Sequence, residues 1–186
     1  MKKTLITGMP RSGTLWMFHA LKRAGEPYGI EVSHESTQAK HIHVMPATIS
    51  LVSPEKFHPE NYEVVLHQYR NPLKVWQSME TLALKHRFVM FNSEWDDPEV
   101  YEAVYLRWWV RCELLAAWSY RVEDVYKGSA AWDQILKRIG FPEIVPFPEG
   151  GWNDNSRKYR PRYRPEPFDP PDKWFREFVR EIGYVI

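Results

Sequence analysis

The sequence predicts an α/β fold, namely a single-domain parallel β-sheet flanked by helices on both faces. Short β-branched and apolar stretches alternate with longer segments of helical periodicity, which is the order that a parallel sheet requires. The chain has 186 residues, the length of one ordinary domain, and residues 1–186 show no internal repeat or dividing linker. A hydrophobic content of 44% is sufficient for a buried core.

The first strand is predicted at residues 3–7, and a helix from Ser12 to Ala24 follows it and ends at Gly25-Glu26-Pro27. Further strands are predicted at residues 28–34, 40–45, 63–69 and 120–125. The other helices are predicted from Asn71-Pro72 to about residue 86, from 98 to about 118, at 129–139 before Gly140, and at 171–182.

Two further segments complete the prediction of local structure. In the helix predicted from residue 98, apolar side chains recur at a three-to-four spacing that indicates a buried face: Tyr101, Tyr105, Trp108, Cys112 and Leu115. Residues 141–170 are rich in proline and are predicted to be irregular.

The overall charge and the cysteine content exclude several classes of protein. A net charge of +1 gives no general attraction to nucleic acid or to a membrane surface. The single cysteine, Cys112, excludes an internal disulfide framework and suits a reducing compartment. The first apolar run is interrupted by Gly8, Pro10 and Arg11, so we expect neither a signal peptide nor a membrane span. These features predict a cytoplasmic protein.

The segment from Gly8 to Thr14 connects the first strand to the first helix. At such a position the first free backbone N–H groups and the helix dipole favour an anion. Ser12 and Thr14 add hydroxyl groups, and Arg11 adds a planar cation that suits phosphate or sulfate. The sequence therefore predicts an anion-binding loop, and the plain alternative is a surface turn before an amphipathic helix.

The loop departs from the phosphate-binding loop of nucleotide triphosphatases at two neighbouring positions. The pattern G-x-x-x-x-G-K-[ST] has a lysine that reaches the β- and γ-phosphates and a hydroxyl that holds magnesium. Here Thr14 and Leu15 occupy those two places. This difference favours a ligand with a short anionic chain at its 5′ position and no metal.

Three segments resemble motifs of one family, the sulfotransferases that use 3′-phosphoadenosine 5′-phosphosulfate (PAPS). PRSGTLW at residues 10–16 resembles the family's 5′-phosphosulfate loop. VVLHQYRNPLKVWQSM at residues 64–79 is similar to its 3′-phosphate motif, with Ser78 eight residues after Arg70. YRVEDV at residues 120–125 resembles its YEDL segment, with Val122 where tyrosine is usual. The resemblance implies a P-loop nucleotide-triphosphatase-like sulfotransferase fold.

The resemblance also implies a cofactor and the residues that hold it. PAPS would be the co-substrate, no metal would be required, and Arg11 would stabilise charge on the bridging oxygen. Trp16 would stack on adenine, while Arg157 and Lys158 would correspond to the family's C-terminal RKG segment. The implied cofactor-binding residues are Pro10, Arg11, Ser12, Gly13, Thr14, Leu15, Trp16, Arg70, Ser78, Arg157 and Lys158.

Several of these residues also have a purely structural interpretation. Arg70 could form an ion pair that caps its strand, Ser78 could be a small helix-packing residue, and Trp16 could pack the first helical turn. The basic run that contains Arg157 and Lys158 could be solvated, could bind nucleic acid or could form a lid near an anion. A net charge near zero favours a local role over nucleic-acid binding.

Sulfuryl transfer needs a base to activate the acceptor, and the resemblance offers two places for it. Glu35, with His34 beside it, occupies the position where tyrosyl-protein and carbohydrate sulfotransferases have a glutamate. Alternatively, KHIHVMP at residues 40–46 resembles the K-x-H-L-P segment of cytosolic members, with His41 and His43 on one face of a strand. We favour Glu35 with His34 over His43.

Two other functions compete with the sulfotransferase interpretation. The first is a small P-loop kinase, which the missing lysine disfavours. The second is a non-catalytic domain that binds adenosine 3′,5′-bisphosphate. The acceptor would be a hydroxyl or an amine of a small molecule, carbohydrate or peptide, and the small chain allows a pocket completed by another subunit of a homo-oligomer.

Overall fold

The computed structural model describes residues 1–9, 11–34, 39–46, 59–78, 98–125, 129–149, 170 and 172–185. Its strands are β1 (Thr4–Gly8), β2 (Val32–His34), β3 (Ile42–Pro46), β4 (Val64–Tyr69) and β5 (Trp118–Arg121). They form one five-stranded sheet in the order β2-β3-β1-β4-β5, and each neighbouring pair is parallel. The predicted α/β class with a parallel sheet is confirmed.

The described helices are α1 (Thr14–Gly25), α2 (residues 72–78), α3 (Pro98–Leu115), α4 (Ala130–Ile139) and α5 (Lys173–Glu181). Their ends follow local chemistry. At the start of α2, Asn71 Oδ1 accepts a hydrogen bond from the Leu73 N–H at 2.9 Å. Ser129 Oγ caps α4 in the same way, and Gly140 ends it at a φ of 69°.

The helices cover both faces of the sheet, as predicted. On one face, α1 and α4 pack on apolar strand residues such as Ile6 and Leu66. On the other face, α3 lies against the sheet and α5 packs on α3 through aromatic contacts, for example between Tyr105 and Phe175. None of the helices in the described ranges has the length and apolar character needed to cross a lipid bilayer.

The structure corrects the boundaries of two predicted strands. The strand predicted at 28–34 begins only at Val32, because Glu26–Tyr28 form a 3₁₀ turn and Gly29 has a φ of 64°. The strand predicted at 120–125 is wrong in its second half. There β5 ends at Arg121, and Val122–Asp124 form a 3₁₀ turn.

Two helices and one histidine also differ from the prediction. The helix from residue 98 ends at Leu115 rather than Trp118, because Trp118 pairs with Leu66 in the sheet. The first helix begins at Thr14 rather than Ser12. His41 precedes β3, so His41 and His43 do not share a strand face. The helix predicted to reach residue 86 is described only to residue 78.

Candidate functional site

The loop at residues 8–14 lies against the carboxyl end of β4. A Cβ atom on Gly8 would lie 2.0 Å from the carbonyl oxygen of Gln68, so only glycine fits there. Arg11 and Gly13 have φ angles of 70° and 90°, in the left-handed region. For Arg11 this conformation costs on the order of 1–3 kcal/mol, and such strain is concentrated at functional sites. The loop is thus a tight turn with a strained arginine.

The start of α1 leaves several hydrogen-bond donors without an acceptor inside the helix. The first helical hydrogen bond runs from the Met17 N–H to the carbonyl of Gly13 at 3.0 Å, and no side chain of the described residues caps the helix. The N–H groups of Thr14, Leu15 and Trp16 therefore lack intrahelical acceptors. The hydroxyl of Ser12 is fully buried and has no hydrogen-bond partner among the described residues. Together these groups form a cradle of donors that suits an anion.

Two arginines from distant parts of the chain meet at this loop. Arg11 Nε donates a hydrogen bond to Ser78 Oγ at 3.0 Å. Arg70 Nη1 donates to the carbonyl oxygen of Arg11 at 3.2 Å. Burial, together with the nearby charge of Arg70, lowers the pKa of Arg11. Over the described ranges, no carboxylate forms an ion pair with either arginine. The electrostatics of the site therefore favour an anionic ligand.

Two successive buried hydrogen bonds connect the loop to β4 and β5. Gln68 Nε2 donates to the carbonyl oxygen of Ser12 at 2.8 Å, and the Tyr120 hydroxyl donates to Gln68 Oε1 at 3.0 Å. Both side chains are buried. Sequence reasoning missed this pair. The available signal was the alternation in β4. Val64 and Leu66, on the α1 face, are apolar, and Gln68 is the next residue on that face but is polar.

The site lies at the point where the strand order changes direction across the sheet. After β1 the chain continues to β2 at one edge, and after β4 it continues to β5 at the other edge. Strands β1 and β4 are neighbours, yet α1 packs on one face of the sheet and α2 packs on the other, through Val75 and Trp76. In open parallel sheets, ligands bind outside the carboxyl ends of strands at such a point. The loop after β1 and Arg70 after β4 lie at this point.

Residues from all three predicted motifs lie at this site. Arg11, Arg70 and Ser78 form one cluster. Val122, from the third motif, lies beside the loop, 3.1 Å from where a Cβ on Gly13 would be. Leu15 exposes its side chain, so its contribution to the cradle is its backbone N–H.

Trp16 has an aromatic partner within the protein. Its ring stacks on Phe147 with centroids 5.1 Å apart and planes inclined by 23°, next to the core cluster on the α1 face. This contact corresponds to the core-packing alternative for Trp16. Stacking of the indole on adenine remains a prediction.

The two candidate histidines lie on neighbouring strands, and their levels along the sheet differ by one residue. His34 ends β2, and its ring lies 5.6 Å from that of Phe18. The strand register places His34 level with Ile6 and two strands away from β1, roughly 10 Å at the usual strand spacing. His34 is thus on the same side of β1 as β3, two residues before the level of Gly8.

His43 lies in the amino-terminal half of β3 and is buried. It pairs with Leu5, three residues before Gly8, which is about 10 Å from the loop at the usual rise per residue. Its Nδ1 contacts the Tyr62 hydroxyl at 2.7 Å, its Nε2 contacts the carbonyl of Ala39, and burial lowers its pKa. The structure does not bring His43 to the loop.

Pro10, Glu35, Arg157 and Lys158 lie outside the described residues. The fold and the site thus define an α/β protein with a parallel sheet. At the carboxyl ends of β1 and β4 it has a cluster of two arginines beside the start of α1, which no side chain of the described residues caps. Comparisons with protein-family models, curated proteins and solved structures found no match for this chain.

Proposed function

We propose that this chain is a PAPS-dependent sulfotransferase with a P-loop sulfotransferase fold. The observation that carries the proposal is the hydrogen bond between Arg11 and Ser78, which are 67 residues apart in the chain. These residues belong to the two segments that resemble the 5′-phosphosulfate and 3′-phosphate motifs. Arg70, the other marker of the second motif, contacts the backbone of Arg11.

The residues present fit the anionic groups of PAPS. The hydroxyl of Ser12 and the first N–H groups of α1, which have no partner among the described residues, suit a phosphosulfate. Arg70 and Ser78 are the proposed partners of the 3′-phosphate, which lies on the same ribose. Because the two arginines are adjacent, both phosphate groups would bind close together at the carboxyl ends of β1 and β4.

The co-substrate supplies a sulfuryl group and leaves as adenosine 3′,5′-bisphosphate. The acceptor oxygen or nitrogen forms a bond to sulfur while the bond from sulfur to the bridging oxygen breaks. Arg11 and the N–H groups of α1 would stabilise the negative charge on that oxygen. The acceptor proton passes to a base, for which Glu35 with His34 is the candidate.

Burial and contacts, rather than distance from the loop, favour this choice of base. His34 is half-buried at the end of β2, and Glu35 is the next residue in the chain. His43 is buried and has contacts at both ring nitrogens. The acceptor would be a hydroxyl or an amine of a small molecule, carbohydrate or peptide.

The first test is ligand selectivity. Arg70→Ala should weaken binding of adenosine 3′,5′-bisphosphate roughly ten- to a hundredfold, because one charge-assisted contact is lost. Adenosine 5′-phosphate, which lacks the 3′ group, should be affected far less. Isothermal titration calorimetry of both ligands measures this. Arg138→Ala is the matched control, since Arg138 lies near the end of α4, where the Ile139 carbonyl accepts a hydrogen bond from the Lys2 N–H just before β1.

The second test is turnover of PAPS over a panel of acceptors, with and without a chelator. We expect transfer that survives an excess of chelator. Tight binding of ATP with magnesium, and activity that is lost with chelator and restored by magnesium, would instead identify a kinase. Binding of the bisphosphate without any transfer would identify a non-catalytic domain.

A further inference from the structure

The peptide bond between Arg70 and Asn71 is held at both of its polar atoms. Its carbonyl oxygen, on Arg70, accepts a hydrogen bond from the hydroxyl of the buried Tyr105 at 2.9 Å. Its N–H, on Asn71, donates to Oε1 of Glu123 at 3.2 Å. Two such contacts fix the plane of the peptide and therefore the direction in which the chain leaves β4.

Glu123 is itself held by the C-terminal segment. Its second carboxylate oxygen, Oε2, accepts a hydrogen bond from the Tyr184 hydroxyl at 2.8 Å. Arg121 Nη1 donates to the carbonyl oxygen of Gly183 at 2.8 Å, and its guanidinium lies 5.7 Å from the centre of the Tyr184 ring. The residues after α5 are thus attached to β5 and to the turn that follows it.

The Glu123 carboxylate acts on the backbone beside Arg70 and not on its charge. Both oxygens have neutral donors, the Asn71 N–H and the Tyr184 O–H. Glu123 makes no ion pair with Arg70 in the described part of the chain, and Arg70 Nη1 donates to the carbonyl of Arg11 instead. Within the described residues, the Arg70 guanidinium therefore has no carboxylate partner and can interact with an anion. The backbone after Arg70 is held by the Glu123 carboxylate.

We propose that Glu123 is a positioning residue for Arg70 and that Tyr184 orients the Glu123 carboxylate. The inference rests on the proposed function, in which Arg70 binds the 3′-phosphate of the nucleotide. Glu123 does not touch the ligand. Its loss reduces recognition of the 3′-phosphate because the guanidinium of Arg70 is no longer presented at a fixed angle.

The test compares two ligands across a set of variants. Dissociation constants for adenosine 3′,5′-bisphosphate and adenosine 5′-phosphate are measured by calorimetry for Glu123→Ala, Glu123→Gln, Tyr184→Phe and Arg70→Ala. Glu123→Ala should reduce the preference for the bisphosphate about tenfold, the same signature as Arg70→Ala. Glu123→Gln should restore most of it, since its amide oxygen can still accept from Asn71. Tyr184→Phe should have a smaller effect in the same direction.

A second pair with the same chemistry supplies the controls. The Tyr28 hydroxyl donates to Glu143, and both residues are near the end of α1, at the opposite edge of the sheet. Glu143→Ala and Tyr28→Phe should leave the ligand preference unchanged. Thermal unfolding of every variant shows whether it is folded. If Glu123→Ala does not fold, Glu123→Gln and Tyr184→Phe decide the question against these controls.

The outcomes separate the two proposals. An unchanged ligand preference in folded Glu123→Ala, with a large change in Arg70→Ala, would overturn the positioning role and leave the function intact. Equal weakening of both ligands in Glu123→Ala would also overturn it, because it would indicate general loosening. If Arg70→Ala itself leaves the preference unchanged, the proposed function fails and the positioning role fails with it.

Discussion

At the scale of single residues, the chemical environment of each histidine limits what it can do. His43 is 1% exposed and is enclosed by Tyr62 and by the backbone at Ala39. In that environment both ring nitrogens have contacts and the side chain is part of the protein interior. His34 is half-buried at the end of the edge strand β2, immediately before Glu35. The two candidate bases therefore differ in location as well as in type.

The base is tested by Glu35→Gln, which keeps the size of the side chain and removes its basicity. Turnover should fall about 10²–10⁴-fold while affinity for the bisphosphate hardly changes, because the base contacts the acceptor. His34→Ala should give a smaller loss if it only orients Glu35. His43→Gln should lower stability but retain turnover when folded. Near-normal turnover in Glu35→Gln and His34→Ala, with a collapse in His43→Gln, would reverse this assignment.

At the scale of secondary-structure elements, a polar chain connects β5, β4 and the loop before α1. The Tyr120 hydroxyl, the Gln68 amide and the Ser12 carbonyl form two successive hydrogen bonds inside the protein. Buried polar groups are costly when unpaired, so this chain stabilises one arrangement of three elements. It also aligns the start of α1 with the end of β4, where Arg70 follows.

Substitution of Gln68, the middle residue of these hydrogen bonds, should lower the free energy of unfolding more than substitution of Tyr120 at their end. Gln68→Leu leaves the Ser12 carbonyl and the Tyr120 hydroxyl buried without partners, and we expect a loss of about 2–4 kcal/mol in the free energy of unfolding. Tyr120→Phe leaves one such group and should cost about 1–2 kcal/mol. Urea denaturation measures both, with Tyr28→Phe as an exposed control. Strict additivity in the double variant would argue against a connected chain.

At the scale of the whole molecule, one face of the sheet carries two buried histidines. His43 and His67 point to the α3 face, in register with Leu5 and Thr7. His67 is 1% exposed, and its Nδ1 lies 2.5 Å from Oε1 of Glu113. Burial lowers the pKa of His67 and of His43, although the Glu113 contact opposes this for His67. Burial therefore favours the neutral form of both rings in the folded protein.

These depressed pKa values predict a loss of stability in acid. Below the ordinary histidine pKa of about 6.5, the unfolded chain takes up protons that the folded protein does not. The free energy of unfolding should fall with decreasing pH by up to about 1.4 kcal/mol per pH unit for each histidine. Urea denaturation between pH 7.5 and pH 5 measures the slope. His67→Gln and His43→Gln should each reduce it, and slopes equal to that of the wild type would contradict the prediction.

The sequence by itself determined the class of fold, the order of the elements and the location of the loop. These features depend on local properties: alternating apolar runs, Asn71-Pro72 and Ser129 at helix starts, and Gly140 at a helix end. Gly8 and Gly13 indicated a tight loop in the sequence, because glycine is the residue that permits close approach and a positive φ, and the structure has these features at the two positions. The predicted boundaries were less accurate where strand pairing decides them. Trp118, for example, was predicted at the end of a helix but pairs with Leu66 in the sheet.

The tertiary structure alone decided which distant residues meet. The contacts of Arg11 with Ser78, Gln68 with Ser12 and Glu123 with Asn71 join segments 52 to 67 residues apart. They depend on strand register, the sheet order and the face on which each helix packs, and no local pattern records these. The same holds for His43, whose residue type fits a base. Its depth in β3 follows from pairing with Leu5, which sets it away from the loop.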